Sequence, residues 1–348
     1  MNPRTHRGAG LVEVMVGVTV ALFATLVIYA AVVAGDHLRH DSQAAADAQQ
    51  AGLFVLSRLS FDIANAGSGF AAAAKALSTC PASASVADTL RPIAVLITDS
   101  GRDDVADSVA VRYGVSPAIA GSATFAAAAP AGASFLIQSP YGIAIDDRVI
   151  AIGRNGECAA TDVTGTTPAG AGIVEVAHAP LATAFPASSW LVNLGSKKDA
   201  QVIRYDVQSG VLRTTDLLNG DAPNPLASNI VNLKLQYGID NDGDGAIDTW
   251  AAARSGPSGD WSAAGLLAAP ADVLARIKAI RIGLIARSDF LDRGITTAFR
   301  WTLFDCEASD KSLCPGRLSG SIAATSAGGY RYRVHETIVP VRNAIWNH

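Results

Sequence analysis

Charge is scarce in this sequence. Asp, Glu, Lys and Arg make up 17% of its 348 residues, and 27 basic against 31 acidic side chains leave a formal net charge of −4 with a pI near 5.8. No positive excess is available to neutralise a phosphate backbone, so direct nucleic-acid binding is not expected. With 49% hydrophobic residues the chain is not disordered, and it can bury one large core or two smaller ones. Catalytic signatures are missing too. No GxSxG, HExxH, P-loop or dinucleotide fingerprint occurs, and His178 and His335 have no recognisable nucleophile or carboxylate around them. The expectation is a protein that is not an enzyme. Internal repeats are also lacking. Trp190, Trp250, Trp261, Trp301 and Trp346 are expected as core or interface aromatics.

What is present begins with one long apolar run. From Val14 to Ala34 no residue is charged, and at about 1.5 Å per residue this covers a hydrocarbon core of about 30 Å. Arg4 and Arg7 precede the run and Asp36 follows it. The positive-inside bias then leaves the N-terminus cytoplasmic and the bulk of the chain exported. After "AVVAGDH" no small-residue cut site follows, so the segment reads as retained. One carboxylate, Glu13, sits at its cytoplasmic edge. A charge at the centre of a membrane helix costs about 2.5–3.5 kcal/mol, and even near the edge it asks for a reason.

The stretch "RGAGLVEVM" resembles the processing signal of type IV prepilins and pseudopilins. There a short basic leader ends in Gly, the cut precedes the apolar segment, and a Glu sits fifth in the mature chain. The resemblance implies a leader of residues 1–8 and cleavage between Gly8 and Ala9 by a membrane-embedded prepilin peptidase, which also methylates the new amino group on Ala9. The sequence departs from the usual pattern at Ala9, where Phe is common, and at Gly10, where Thr is frequent. Glu13 then has a role. In a lipid-free core of packed helices, its carboxylate would pair with the buried ammonium at a neighbour's first residue. The plainer reading is a signal anchor whose Glu snorkels to the interface.

The helix continues past the membrane. From Asp36 to Asn65 there is no proline, and Val55, Leu56, Leu59, Ile63 and Ala66 form a one-sided stripe. The spacing predicts a helix over residues 9–66, on the order of 85 Å long, with a transmembrane half at 14–34 and an amphipathic half lying on a globular head. "GLFVLSRLSFDIANAG" is similar to the segment that follows the stem in minor pilins of the PilW type.

Residues 67–348 read as an exported, antiparallel β-rich head, with no boundary dividing it. "AKALSTCPASASVADT" and "ATFAAAAPAGAS" read as low-complexity connectors. Val231, Leu233, Leu235, Tyr237 and Ile239 are expected on one strand face, with Asn232, Lys234 and Gln236 on the other; Ile280, Ile282, Leu284 and Ala286 repeat the alternation. "QVIRYDVQSGVLRTTDL" predicts a hairpin turning at Gln208 to Gly210. "YRYRVHETIVPVRN" predicts a last strand and resembles the closing segment of PilW-type proteins. The fold class is α+β, pilin-like, with a helical spine and a β-rich head.

Four cysteines in an exported chain read as two disulfides. Cys306 and Cys314 are close enough in sequence to pair, leaving Cys80 with Cys158, although four cysteines allow three pairings. The most pointed chemical signal is "YGIDNDGDGAIDTWA". Asp240, Asp242 and Asp244 stand at positions 1, 3 and 5 of a calcium loop, Gly245 at 6, Ala246 at 7, where only a carbonyl is needed, and Asp248 at 9; Ala251 takes the place of the bidentate Glu at 12. Calcium is the expected ligand, and an Asp- and Gly-rich turn between strands is the alternative. PilW-like proteins often carry a similar stretch after the same "YG" strand. His37 and His40 share a helix face and read as a solvated juxtamembrane cluster.

By resemblance, the function is that of a minor pilin. It would join other minor pilins and the major pilin, prime fibre assembly at the tip, and support adhesion, twitching motility or DNA uptake. It would be held in the inner membrane by a single span, then placed in the fibre or at the cell surface. The rivals are a J-type pseudopilin of type II secretion, and a membrane-anchored calcium-dependent adhesin or enzyme.

Overall fold

A computed structural model describes residues 10–68, 80, 93–114, 122–138, 142–198, 200–292, 294–306, 309, 314–325 and 328–345. Helix α1 runs unbroken from Leu11 to Asn65, 55 residues or about 80 Å. Its segment Leu11–Val33 is long and apolar enough to cross a membrane, with mean hydropathy 2.5, and none of it is covered by the rest of the chain. Two hydroxyls in this segment are satisfied internally, Thr19 donating to the Met15 carbonyl (3.1 Å) and Thr25 to that of Ala21 (3.0 Å). The second half behaves as its spacing predicts: Val55, Leu59, Ile63 and Ala66 are fully buried, and Leu56 nearly so.

That stripe packs on two antiparallel sheets. The first orders its strands β1 (Val95–Thr98), β2 (Ser108–Tyr113), β9 (Gln201–Gln208), β10 (Val211–Asp216) and β11 (Asn224–Ser228). The second orders β13 (Thr249–Ala252), β12 (Ile230–Ile239), β16 (Ile277–Arg287) and β19 (Tyr332–Pro340), and two-stranded ribbons are formed by β14 (Ser255–Gly256) with β15 (Gly259–Asp260) and by β17 (Phe299–Leu303) with β18 (Leu318–Ile322). Helix and sheets share one apolar core. The β9–β10 hairpin turns at Ser209 and Gly210, both with positive φ, and closes on Gln208 opposite Val211.

Between β2 and β9 the chain makes a separate body, a closed six-stranded barrel of β3 (Ser122–Phe125), β4 (Gly132–Gln138), β5 (Asp147–Ile152), β6 (Cys158–Gly170), β7 (Ile173–Leu181) and β8 (Trp190–Ser196). Its interior is built on Phe125, Phe135 and Phe185. The head therefore has distinct cores where the sequence suggested no division. "ATFAAAAPAGAS" is a barrel corner and not a connector, because Phe125 and Ala129 are buried and small side chains fit there. Of "AKALSTCPASASVADT" only Cys80 lies among the described residues; it bonds Cys158, and Cys306 bonds Cys314.

One strand face also differs from expectation. Ile230 pairs with Ala286 and Asn232 with Ile285, so a bulge at Val231 turns Ile230 into the main core and leaves Val231 against a smaller cluster with Trp301 and Phe304. The opposite face of β12 is buried as well. Lys234, 2% exposed, donates to Asp107 (2.8 Å), to the Ser100 hydroxyl (3.0 Å) and to the Arg102 carbonyl (2.6 Å).

β19 and α1 run in the same direction. The His335 ring lies against Gly52, where a Cβ would come within 2.3 Å of it, and further along Asn343 donates to the Asn65 and Ala66 carbonyls. The sheet thus has an end towards the apolar segment, where β16 finishes and β12 and β19 begin, and an end away from it. Another buried node ties helix to sheet: Tyr205 donates to the fully buried Asp62, which Arg58 also meets at 3.2 Å. Burial pushes the Tyr205 hydroxyl and the Asp62 carboxyl above their ordinary values.

Candidate functional site

The far end of the sheet carries the Asp loop. β12 delivers Asp240 at its exit, and the chain returns through β13, with Ile239 opposite Thr249. Carboxylate oxygens of Asp240, Asp242 and Asp244 all lie within 4.8 Å of one another, an arrangement able to hold a cation. Asp240 is 1% exposed while its two partners face solvent. The amide of Gly243 donates to Asp240 Oδ1 (2.6 Å) and that of Gly245 to Oδ2 (3.0 Å). Both glycines hold positive φ, which lets the backbone curl around one carboxylate. Further turns are fixed by Asp242 accepting from the Asp244 amide (3.2 Å) and Asp244 accepting from that of Ala246 (2.7 Å).

Asp248 does not join the cluster. Its Oδ2 accepts from the Asn241 amide (2.6 Å) across the loop mouth. Ala251 sits in β13 opposite Tyr237 and is nearly buried, so the closing position faces the core. Two cations escaped the sequence reading. Lys278 Nζ stands 3.5 Å from Asp240 Oδ2, and Arg276 donates to the Asp240 carbonyl (3.2 Å). A lysine inside the alternating run "IKAIRIGLIA" was the available signal, since a cation in a buried strand needs a partner. Burial alone would push the Asp240 carboxyl up; the Gly243 and Gly245 amides and the Lys278 ammonium more than offset it and hold the group below the usual carboxylate range. The donor set is three hard oxygens with water access, fitting a loosely held divalent cation, and one ligating position is shared with Lys278.

At the other end of α1, Glu13 occupies the first turn, exposed, its amide bonded to the Gly10 carbonyl (2.9 Å). Gly8, Ala9 and Trp346 lie outside the described residues, as do the side chains of His37 and His40. His178 is buried in the barrel, stacked on Phe135 at 3.9 Å, and its Nδ1 meets the Ala179 carbonyl at 2.6 Å.

Residues 203–343 match the family model described as Type IV Pilus-assembly protein W. Over that stretch the chain is PilW-like. The matched stretch takes in β12, the Asp loop, β16 and β19, the strands that carry the helix, while the barrel lies outside it. No curated protein matches the sequence. Among solved structures, a type IV-like pilin from Thermus thermophilus aligns at 16% identity and a TM-score of 0.24, covering 58% of this chain and 86% of that one. The likeness to this pilus-assembly family is confined to residues 203–343.

Proposed function

We propose that this chain is a minor pilin that primes fibre assembly and stands at the fibre tip, joined there to other minor pilins and to the major pilin. One observation carries the reading. A single helix is apolar and uncovered over Leu11–Val33, then built into the head over its second half, so its free half is shaped to pack among like helices. The chain would first be an inner-membrane protein with an exported head, cut by a prepilin peptidase between Gly8 and Ala9 and methylated on Ala9. Its work is assembly, with no catalytic step. The bulk of the head, enlarged by the barrel, suits one end of a fibre better than a repeat along it. Adhesion, motility or DNA uptake would follow from what the fibre does.

The test is deletion of the gene, with surface fibres counted and exported enzymes assayed. Lost fibres with normal secretion support the proposal; normal fibres with lost secretion favour a J-type pseudopilin. Replacing Gly8 with a bulky residue should leave an uncut precursor, and an unchanged mature mass would remove the prepilin assignment. Glu13→Val should still insert and be cut yet enter fibres poorly, because the neighbour's ammonium loses its partner.

The Asp loop is proposed to hold calcium through Asp240, Asp242, Asp244 and the Ala246 carbonyl, with Asp248 reaching the ion through water. With no carboxylate at Ala251 the affinity should fall near 10⁻⁴–10⁻³ M, on the order found in extracellular modules.

A further inference from the structure

The end of the sheet nearest the apolar segment carries a cleft of about 320 Å³, lined on one side by Ile295 to Arg300 and on the other by Tyr330 to Arg333. Its walls combine aromatic rings with guanidinium groups. Phe299 stacks on Tyr332 at 4.8 Å, and Arg287 lies over the Tyr330 ring at 4.2 Å. Among the described residues, Asp292 is engaged by Arg331 (2.8 Å) and Asp289 by Asn229. Arg300 and Arg333 are exposed and meet no acidic partner among the described residues. Beside them Phe290 is 69% exposed and Leu291 36%. Uncompensated cations, aromatic rings and open apolar tips are thus gathered on one rim.

The position of that rim follows from the helix. His335 packs where α1 passes Ala48 and Gly52, about 25 Å along the axis from Val33. β19 starts on the membrane side of His335, and Arg333 to Tyr330 step a further 7–17 Å, roughly, towards the apolar segment. The cleft therefore stands roughly 8–18 Å beyond Val33. Headgroups occupy about 5–7 Å on each face of a bilayer, and extended arginine side chains reach across most of the remaining gap. The residual distance is comparable with the Debye length of about 8 Å.

We propose that this rim is a docking surface for anionic phospholipid headgroups, on which the head rests while α1 spans the membrane. Arg300 and Arg333 take lipid phosphates, for which the guanidinium fork is suited. Tyr330, Tyr332 and Phe290 take the interfacial level that aromatic side chains prefer. Docking holds the head upright over its span until the helix leaves the bilayer. The proposal rests on Leu11–Val33 being a membrane span, and the experiment separates the two.

Full-length protein is placed in nanodiscs of phosphatidylcholine alone, or with about one third phosphatidylglycerol, and hydrogen exchange is followed in the segments 295–300 and 330–333, with 240–248 as internal control. Retention of the chain in both discs reports the span by itself. With phosphatidylglycerol, exchange at the two rim segments should slow on the order of tenfold, high salt should abolish the slowing, and the Asp loop should not respond. The variant R300Q/R333Q should lose the protection, while R300K/R333K, which keeps the charge, should retain most of it. Equal exchange in the two discs, protection unchanged in R300Q/R333Q, or protection reproduced by inorganic phosphate in phosphatidylcholine discs would each overturn the proposal.

Discussion

The two ends of the β13-β12-β16-β19 sheet differ in sign. Away from the apolar helix stand Asp240, Asp242, Asp244 and Asp248; towards it stand Arg287, Arg300, Arg331 and Arg333. A net charge of −4 reveals nothing of this, because the two groups largely cancel in the sum. The strands explain the separation. β12 starts at the near end and delivers its aspartates at the far one; β16 brings Lys278 in at the far end and Arg287 out at the near one; β19 starts with Arg333. Charge is sparse, and each end holds an excess of one sign: Lys278 and Arg276 meet the aspartates at the far end, and Asp289 and Asp292 stand among the arginines at the near one.

The most damaging way to break that comparison is to remove the frame between the ends. Lys234→Met leaves Asp107 buried without its cation and should cost about 3–5 kcal/mol in urea denaturation, whereas Lys234→Met with Asp107→Leu should recover much of the loss. Leu59→Ala, at the centre of the helix stripe, should cost about 2–5 kcal/mol by the same measurement, the range set by how far the site can collapse.

Next come changes that silence one end alone. Calcium at a hundredfold excess over its dissociation constant should stabilise the wild type by about 2.7 kcal/mol in thermal melts, and magnesium by far less, since it needs tighter octahedral geometry. Asp240→Ala together with Asp244→Ala should abolish the calcium response and leave rim exchange untouched. An unmoved wild-type midpoint in millimolar calcium would reduce the loop to a turn.

The smallest expected effect concerns acid. Burial pushes the imidazoles of His178 and His335 below their ordinary value, so unfolding takes up protons as pH drops past about 6.5. Their contribution is complete above that value and drains as pH falls towards the folded values. His178→Phe, which keeps a ring against Phe135, should make the acid limb of a stability-versus-pH curve shallower. An unchanged limb would show that this histidine does not contribute to it.

The helix stripe, the Gln208–Gly210 turn and the closing strand were legible because each is a local period or turn signal. The Asp loop was legible for the same reason, since its spacing lies within a few residues. The barrel was not. Strand β6 reads CAATDVTGTTPAG and its burial alternates only in its first half, so small and polar residues hid a closed sheet among loops. The bulge at Val231 shifts one residue between faces, which no alternation can announce. The arginine rim brings together residues about thirty positions apart with no spacing of their own.

The parallel course of β19 and α1 has a consequence for the order of events. The stripe from Val55 to Ala66 emerges early in synthesis, yet the strand that lies alongside it arrives only after the barrel and the rest of the sheet. Until then the apolar flank of the stem stays open, and the cost of closing so long a loop delays the docking that covers it. The growing chain is exposed to proteases and to wrong partners through most of its synthesis. A chain cut short before Tyr332 would keep its barrel but leave the stripe bare, and should be digested faster by proteases than the full chain.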